Sequence, residues 1–136
     1  MSLAGKVGFL SKIGSLLGKK KQAPSVSGSK VEDAVNKWEA GRGYLLADKT
    51  VSQVAKRMGI TSAQLYRYCL DVKNEDFRTW RTRLRIEEAK RQLLSEPLTH
   101  VSVIARRVGI ADRSNFARLF RDHTGMLPSQ WREKNL

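Results

Sequence analysis

The chain has 136 residues, 40% of them hydrophobic, which is room for one ordinary domain with a packed core and some tail. Its 26 lysines and arginines against 13 acidic residues leave a net charge of +13, a field that draws polyanions and points to nucleic acid or an anionic membrane surface. One cysteine excludes an internal disulfide framework, and no apolar run reaches the ~18 residues a membrane span needs, so a cytoplasmic protein, or the cytoplasmic part of a membrane-anchored one, is expected.

Residues 1–30 hold six lysines and no acid. Within them Phe9, Leu10, Ile13, Leu16 and Leu17 form an apolar stripe at helical spacing, with Lys12 opposite and Lys19, Lys20 and Lys21 following. That pattern suits an interfacial helix over residues 7–21 making membrane-surface contact on anionic lipid. Gly8, Gly14 and Gly18 weaken it, and the other reading is a disordered basic tail or a sequence that docks on a neighbour outside this chain. Residues 22–30 are small and polar with no apolar period, the composition of a flexible linker, and the domain boundary is expected there. The domain then spans 31–136. Val31, Ala34, Val35 and Trp38 fall on one face of a short leading helix that Gly41 and Gly43 stop.

An internal repeat follows. Residues 51–60 line up with residues 101–110 at an offset of 50, with six positions identical. After the glycine the offset becomes 51, pairing Leu65 with Phe116, Arg67 with Arg118, Tyr68 with Leu119, Asp71 with Asp122 and Trp80 with Trp131. Each copy reads as helix, glycine turn, helix. In the first, Thr50 and Gln53 have capping-box spacing, Val54, Ala55 and Met58 form the buried face, and Gly59 sits where a left-handed residue must end the helix. The helix after Thr61 buries Leu65, Tyr68 and Cys69 and turns Ser62, Ala63, Gln64, Tyr66 and Arg67 outward. The second copy buries Ile104, Ala105 and Val108 before Gly109, then Phe116, Leu119 and Phe120, leaving Arg113, Ser114, Asn115, Ala117 and Arg118 outward. Small Ala55 and Ala105 provide the thin contact that two steeply crossing helices need. The fold class is therefore all-α: two helix-turn-helix subdomains, at about 50–75 and 99–132, joined by a long linker helix at about 76–95, which has no Gly or Pro and ends before Pro97. Twenty residues give a rod of roughly 30 Å, near the ~34 Å repeat of B-DNA.

These residues resemble the DNA-binding domain of the AraC/XylS-type family of bacterial transcription regulators over about 50–132. The resemblance is carried by Val54-Ala55 before Gly59, the run Arg83-Leu84-Arg85-Ile86-Glu87-Glu88-Ala89-Lys90, and Ile104-Ala105 before Gly109. It is strongest in Asn115-Phe116-Ala117-Arg118-Leu119-Phe120 with Gly125-Met126 and Pro128-Ser129-Gln130-Trp131-Arg132. Three departures stand out. Asn74 occupies the place of Gly125, which asparagine tolerates because it enters the left-handed region readily. Cys69 stands for an aromatic and Ile110 for a phenylalanine, and the sensing domain that such regulators often carry is not in this chain. The resemblance implies double-stranded DNA as partner, with RNA polymerase and a sensor domain outside this chain as further candidates.

From the outward faces, base reading is assigned to Ala63, Tyr66 and Arg67 in the first unit and to Arg113, Ser114, Ala117 and Arg118 in the second. Arginine can bond guanine bidentately and alanine can touch a thymine methyl. Lys56, Arg106, Arg107 and Arg121 are assigned to phosphates, which supply affinity without sequence information. Two readers in head-to-tail order imply an asymmetric site. Trp80, Trp131, Phe116 and Phe120 have core spacing. His100 and His123 lie far apart and Cys69 has no partner at ligand spacing, so no metal, cofactor or enzymatic activity is expected. His100 marks a helix start, and Glu75-Asp76 and Glu87-Glu88 read as surface ion pairs. The rival reading is a membrane-surface or protein-interaction adaptor using the same basic faces, and the repeat weighs against it.

Overall fold

The structure, a computed structural model, describes residues 28–47 and 49–136. The helix expected over residues 7–21 and most of the linker lie outside the described residues. Among the described residues there are seven α-helices and no strand.

Helix α1 (Gly28–Ala40) begins at Gly28, inside the stretch expected to be linker, and buries Val31 and Val35. It stops as expected at Gly41, whose N–H donates to the Lys37 carbonyl, and Arg42 then turns left-handed at φ 58°. A single 3-10 turn, Gly43–Leu45, leads toward α2 (Val51–Met58). The capping box at α2 is closed in both directions: Gln53 N donates to Thr50 Oγ1 at 3.1 Å and Thr50 N to Gln53 Oε1 at 2.8 Å. Gly59, at φ 79°, ends it left-handed. Thr61 and Gln64 build a second box at the start of α3 (Ser62–Tyr68). Gln64 is thus half-buried at the cap, not turned outward as expected.

The copies differ next. In the first unit the helix continues through a widened i→i+5 turn over Cys69–Lys73 and ends at Asn74, φ 61°, the left-handed residue expected there. In the second, α6 (Arg113–Thr124) runs straight to Gly125 at φ 83°. Between them stands α4 (Phe77–Ser95), 19 residues and about 28 Å long. Asp76 is its N-cap, accepting from Thr79 N at 2.8 Å, rather than its first residue or half of an ion pair. Glu96 leaves the helix in an open conformation that the following Pro97 favours. His100 caps α5 (Val101–Arg107), Asp112 caps α6, and α7 (Pro128–Asn135) starts on a proline, where its missing N–H costs nothing.

Two cores form. One gathers Val31, Val35, Val54, Ala55, Leu65, Tyr68, Cys69, Phe77 and Trp80; the other gathers Ile86, Ala89, Leu93, Ile104, Ala105, Val108, Phe116 and Phe120. The linker helix belongs to both. Its first turns carry Trp80 into the first core as α7 carries half-buried Trp131 onto the second, at the offset of 51. Its later turns bring Ile86 and Ala89 to the second core, and at the same offset Val35 and Trp38 of α1 serve the first. One helix therefore closes one unit and opens the next.

Beside that apolar stripe runs a polar one. Arg81, Arg85, Glu88 and Gln92 recur at helical spacing, and Arg85, Glu88 and Gln92 are buried. Arg81 donates to the Lys49 carbonyl at 2.6 Å, and Arg85 to the carbonyls of Tyr44 at 2.5 Å and Leu46 at 2.7 Å. Glu88 accepts from Arg42 at 3.2 Å, from Arg91 and from Gln92 at 2.8 Å. The hydrogen bond from Arg91 holds the Glu88 carboxyl below the usual glutamate range against the opposing effect of burial. Glu88 is thus a buried anion facing Arg42 and not the surface partner expected. Glu75 and Glu87 do lie in ion pairs, with Arg83 and Lys90.

Candidate nucleic-acid interface

Each unit presents the second helix of its pair. On α3, Ala63, Tyr66 and Arg67 are exposed, Tyr66 to 56%, although Leu65 and Tyr68 on the same short helix are buried. This follows from the sequence: an aromatic at position 66 lies about 100° from the Leu65 face and finds no core to enter. On α6, Arg113, Ser114 and Arg118 are exposed and Ala117 is half-buried, a step further in than expected. Leu119, expected in the core, is also half-buried and packs against it from the edge.

The arginines of the two helices are held differently. Arg118 lies along its own helix, donating to Asn115 Oδ1 at 2.6 Å and facing Asp122 at 3.5 Å. Both partners are exposed and one turn away, so these contacts are weak and solvent-screened. Arg67 lines an open cleft between α3 and α1, shared with Gly28, Val31, Ala63 and Gln64. Arg113 and Ala117 line a different cleft in the second unit, between α6 and the starts of α5 and α7, with His100, Pro128 and Ser129. The seven residues assigned to base reading thus fall on two helix faces, one per unit.

Of the residues assigned to phosphate, Lys56 on α2, Arg106 on α5 and Arg121 on α6 are exposed. Arg107 is already engaged: its Nη1 donates to Glu96 at 2.8 Å and to Gln92 at 3.3 Å, tying α5 to the end of the linker helix. Half-buried Arg132 is likewise engaged, holding the carbonyls of Leu93, Glu96 and Thr99 and so fixing the turn into the second unit. The residues that sequence reasoning missed are Arg85 and Arg42, which join the segment after α1 to the linker helix.

Among the described residues no group of three or more His, Cys, Asp or Glu could hold a metal ion, and no helix is long and apolar enough to cross a membrane. Cys69 is buried in the first core, where burial pushes its thiol up to about 11, so it is held as the neutral thiol.

Two capped helix pairs, each showing a polar second helix and braced by a single rod, define a tandem helix-turn-helix DNA-binding protein. A helix-turn-helix domain family model matches residues 54–134, and the chain belongs to that AraC-type family of DNA-binding transcription regulators. Solved structures agree in fold. The C-terminal domain of AraT, a response regulator from Geobacillus stearothermophilus, is 24% identical with a TM-score of 0.69, covering 86% of this chain and 90% of that one. The C-terminal domain of the two-component response regulator yesN from Fusobacterium nucleatum is 26% identical with a TM-score of 0.64, covering 78% and 99%. An AraC-type DNA-binding regulator from Chromobacterium violaceum is 20% identical with a TM-score of 0.65, covering 78% and 91%. No curated protein sequence matches the chain.

Proposed function

We propose that this chain is the DNA-reading part of a larger sensor-regulator, and that it binds an asymmetric site by placing α3 and α6 in two neighbouring major-groove segments. The observation that carries this reading is the head-to-tail repeat of two exposed reading faces on one rod of about 28 Å, close to the ~34 Å between successive major-groove faces. A two-fold palindrome requires readers related by a two-fold axis, and a tandem repeat lacks one within the chain. Ala63, Tyr66 and Arg67 read the first element, and Arg113, Ser114, Ala117 and Arg118 the second. Lys56, Arg106 and Arg121 neutralise phosphates, joined by Arg107 once it leaves Glu96. The two domains of response regulators among the similar structures favour a sensing partner, and RNA polymerase is the further contact expected of an activator.

Selection of bound sequences from a random duplex pool tests this, repeated with Arg67→Ala and Arg118→Ala. Two enriched elements about one helical turn apart are expected, with each variant relaxing one element by about 1–3 kcal/mol. Absence of enrichment, with binding that fades uniformly as salt rises, would refute sequence reading.

A further inference from the structure

We propose that the segment of residues 42–46, seated on Arg85, fixes the spacing and rotation of the two readers, making Arg85 a positioning residue for site specificity. The inference rests on the two-element reading above and deepens it. A single helix shared by two cores sets a distance, but bending or twisting of that helix would still let one unit swing against the other. A second connection removes that freedom, and residues 42–46 supply one.

The segment is anchored at both ends. On the first-unit side, a Cβ at Gly43 would fall inside the Trp38 indole, and Tyr44 meets Trp38 edge-on with ring centroids 6.1 Å apart. Trp38 itself lies 5.6 Å from both Phe77 and Trp80 in the first core. On the other side, Leu45 packs against the second core. Neighbouring residues thus belong to different cores, and the chain between them is too short to yield.

Arg85 locks the segment to the rod. Its guanidinium is a planar fork, and here it donates to two carbonyls, Tyr44 and Leu46, that straddle Leu45. Arg42 adds a second fastening one turn along, on buried Glu88. The turn of the second helix-turn-helix rests on the same point: an ideal Cβ at Gly109 would lie 2.8 Å from the Leu45 carbonyl and 3.1 Å from Arg85 Cζ. Residues from the leading segment, the linker helix and the second reader's turn therefore meet within contact distance. The equivalent turn of the first unit, Gly59, has nothing within 4 Å.

The expected consequence is a narrow tolerance for the number of base pairs between the two DNA elements. The test measures affinity of the full chain for duplexes carrying both selected elements, with one or two base pairs inserted or removed between them. Wild type is expected to lose at least tenfold for each misplaced base pair. Arg85→Met, which keeps length but not donors, is expected to flatten the profile to under threefold while its preference within each element persists. Arg85→Lys, able to reach one carbonyl, should fall between. Leu45→Ala tests the same clamp without touching Arg85 and serves if Arg85→Met no longer melts cooperatively. Equal loss of affinity at every spacing in folded Arg85→Met and Leu45→Ala would overturn the proposal, leaving these residues a purely structural role. Absence of a two-element site in wild type would instead sink the underlying reading and the proposal with it, so the two failures are told apart by the protein in which they occur.

Discussion

Replacing each turn glycine with alanine separates backbone strain from packing, because the repeat supplies its own control. Gly59 and Gly109 occupy equivalent turns with similar left-handed backbones, φ 79° and 88°. A non-glycine residue in that region costs about 1–2 kcal/mol. At Gly59 the new methyl meets nothing within 4 Å, so Gly59→Ala should cost only that amount. At Gly109 the methyl would sit 2.8 Å from a backbone carbonyl, that of Leu45, which cannot rotate away, and Arg85 blocks the other side. Overpacking of this kind adds about 1–3 kcal/mol, bringing Gly109→Ala to about 2–5 kcal/mol. Urea unfolding followed by circular dichroism resolves the two, provided the slope against denaturant is unchanged. Equal destabilisation by the two alanines would refute the close approach of Leu45 and Arg85 to the second turn, and with it the physical basis for the clamp.

Three further outcomes are expected. Asp76→Ala should cost about 1 kcal/mol through loss of the linker-helix cap, read by thermal melting. Because Asp76 and Glu88 are both held below their usual pKa values, by the Thr79 amide and by Arg91, their stabilisation is complete above the unfolded pKa values near ~4 and is lost as pH falls through the lower folded ones. The urea midpoint should therefore drop between roughly pH 5 and 3, and Glu88→Gln should show a smaller drop over the same range. Cys69, neutral and buried, should react with a thiol reagent at about pH 8 only at the rate at which the first core opens, so urea below the unfolding midpoint should accelerate labelling.

Much of the fold was legible because its signals are local. Capping residues act across three positions, left-handed turns need glycine or asparagine, and helix faces repeat every three or four residues. Thr50, Gly59, Asn74, His100 and Gly125 all do in the structure what those rules demand. The outward positions of α3 and α6 were legible for the same reason, apart from Ala117 and Gln64, whose burial depends on neighbours outside their own helix. The bridge was not legible. Arg42 meets Glu88 across 46 positions, and Arg85 meets Tyr44 across 41, distances at which no sequence period operates. One signal was present and went unread: Arg81, Arg85, Glu88 and Gln92 form a polar stripe at helical spacing next to the apolar one. A solvated face would explain it equally well from sequence, and only the carbonyls of Tyr44, Leu46 and Lys49 above it decide otherwise.

The shared linker helix also bears on how such a protein can be rebuilt. Since α4 contributes Trp80 to one core and Ile86, Ala89 and Leu93 to the other, neither reader can be excised without leaving its neighbour an open apolar face. Under the proposed function, changing the DNA sequence recognised calls for grafting the exposed faces of α3 or α6 alone, residue by residue. Exchanging whole halves, as is done with zinc-finger arrays, would cut through a helix that serves both halves at once.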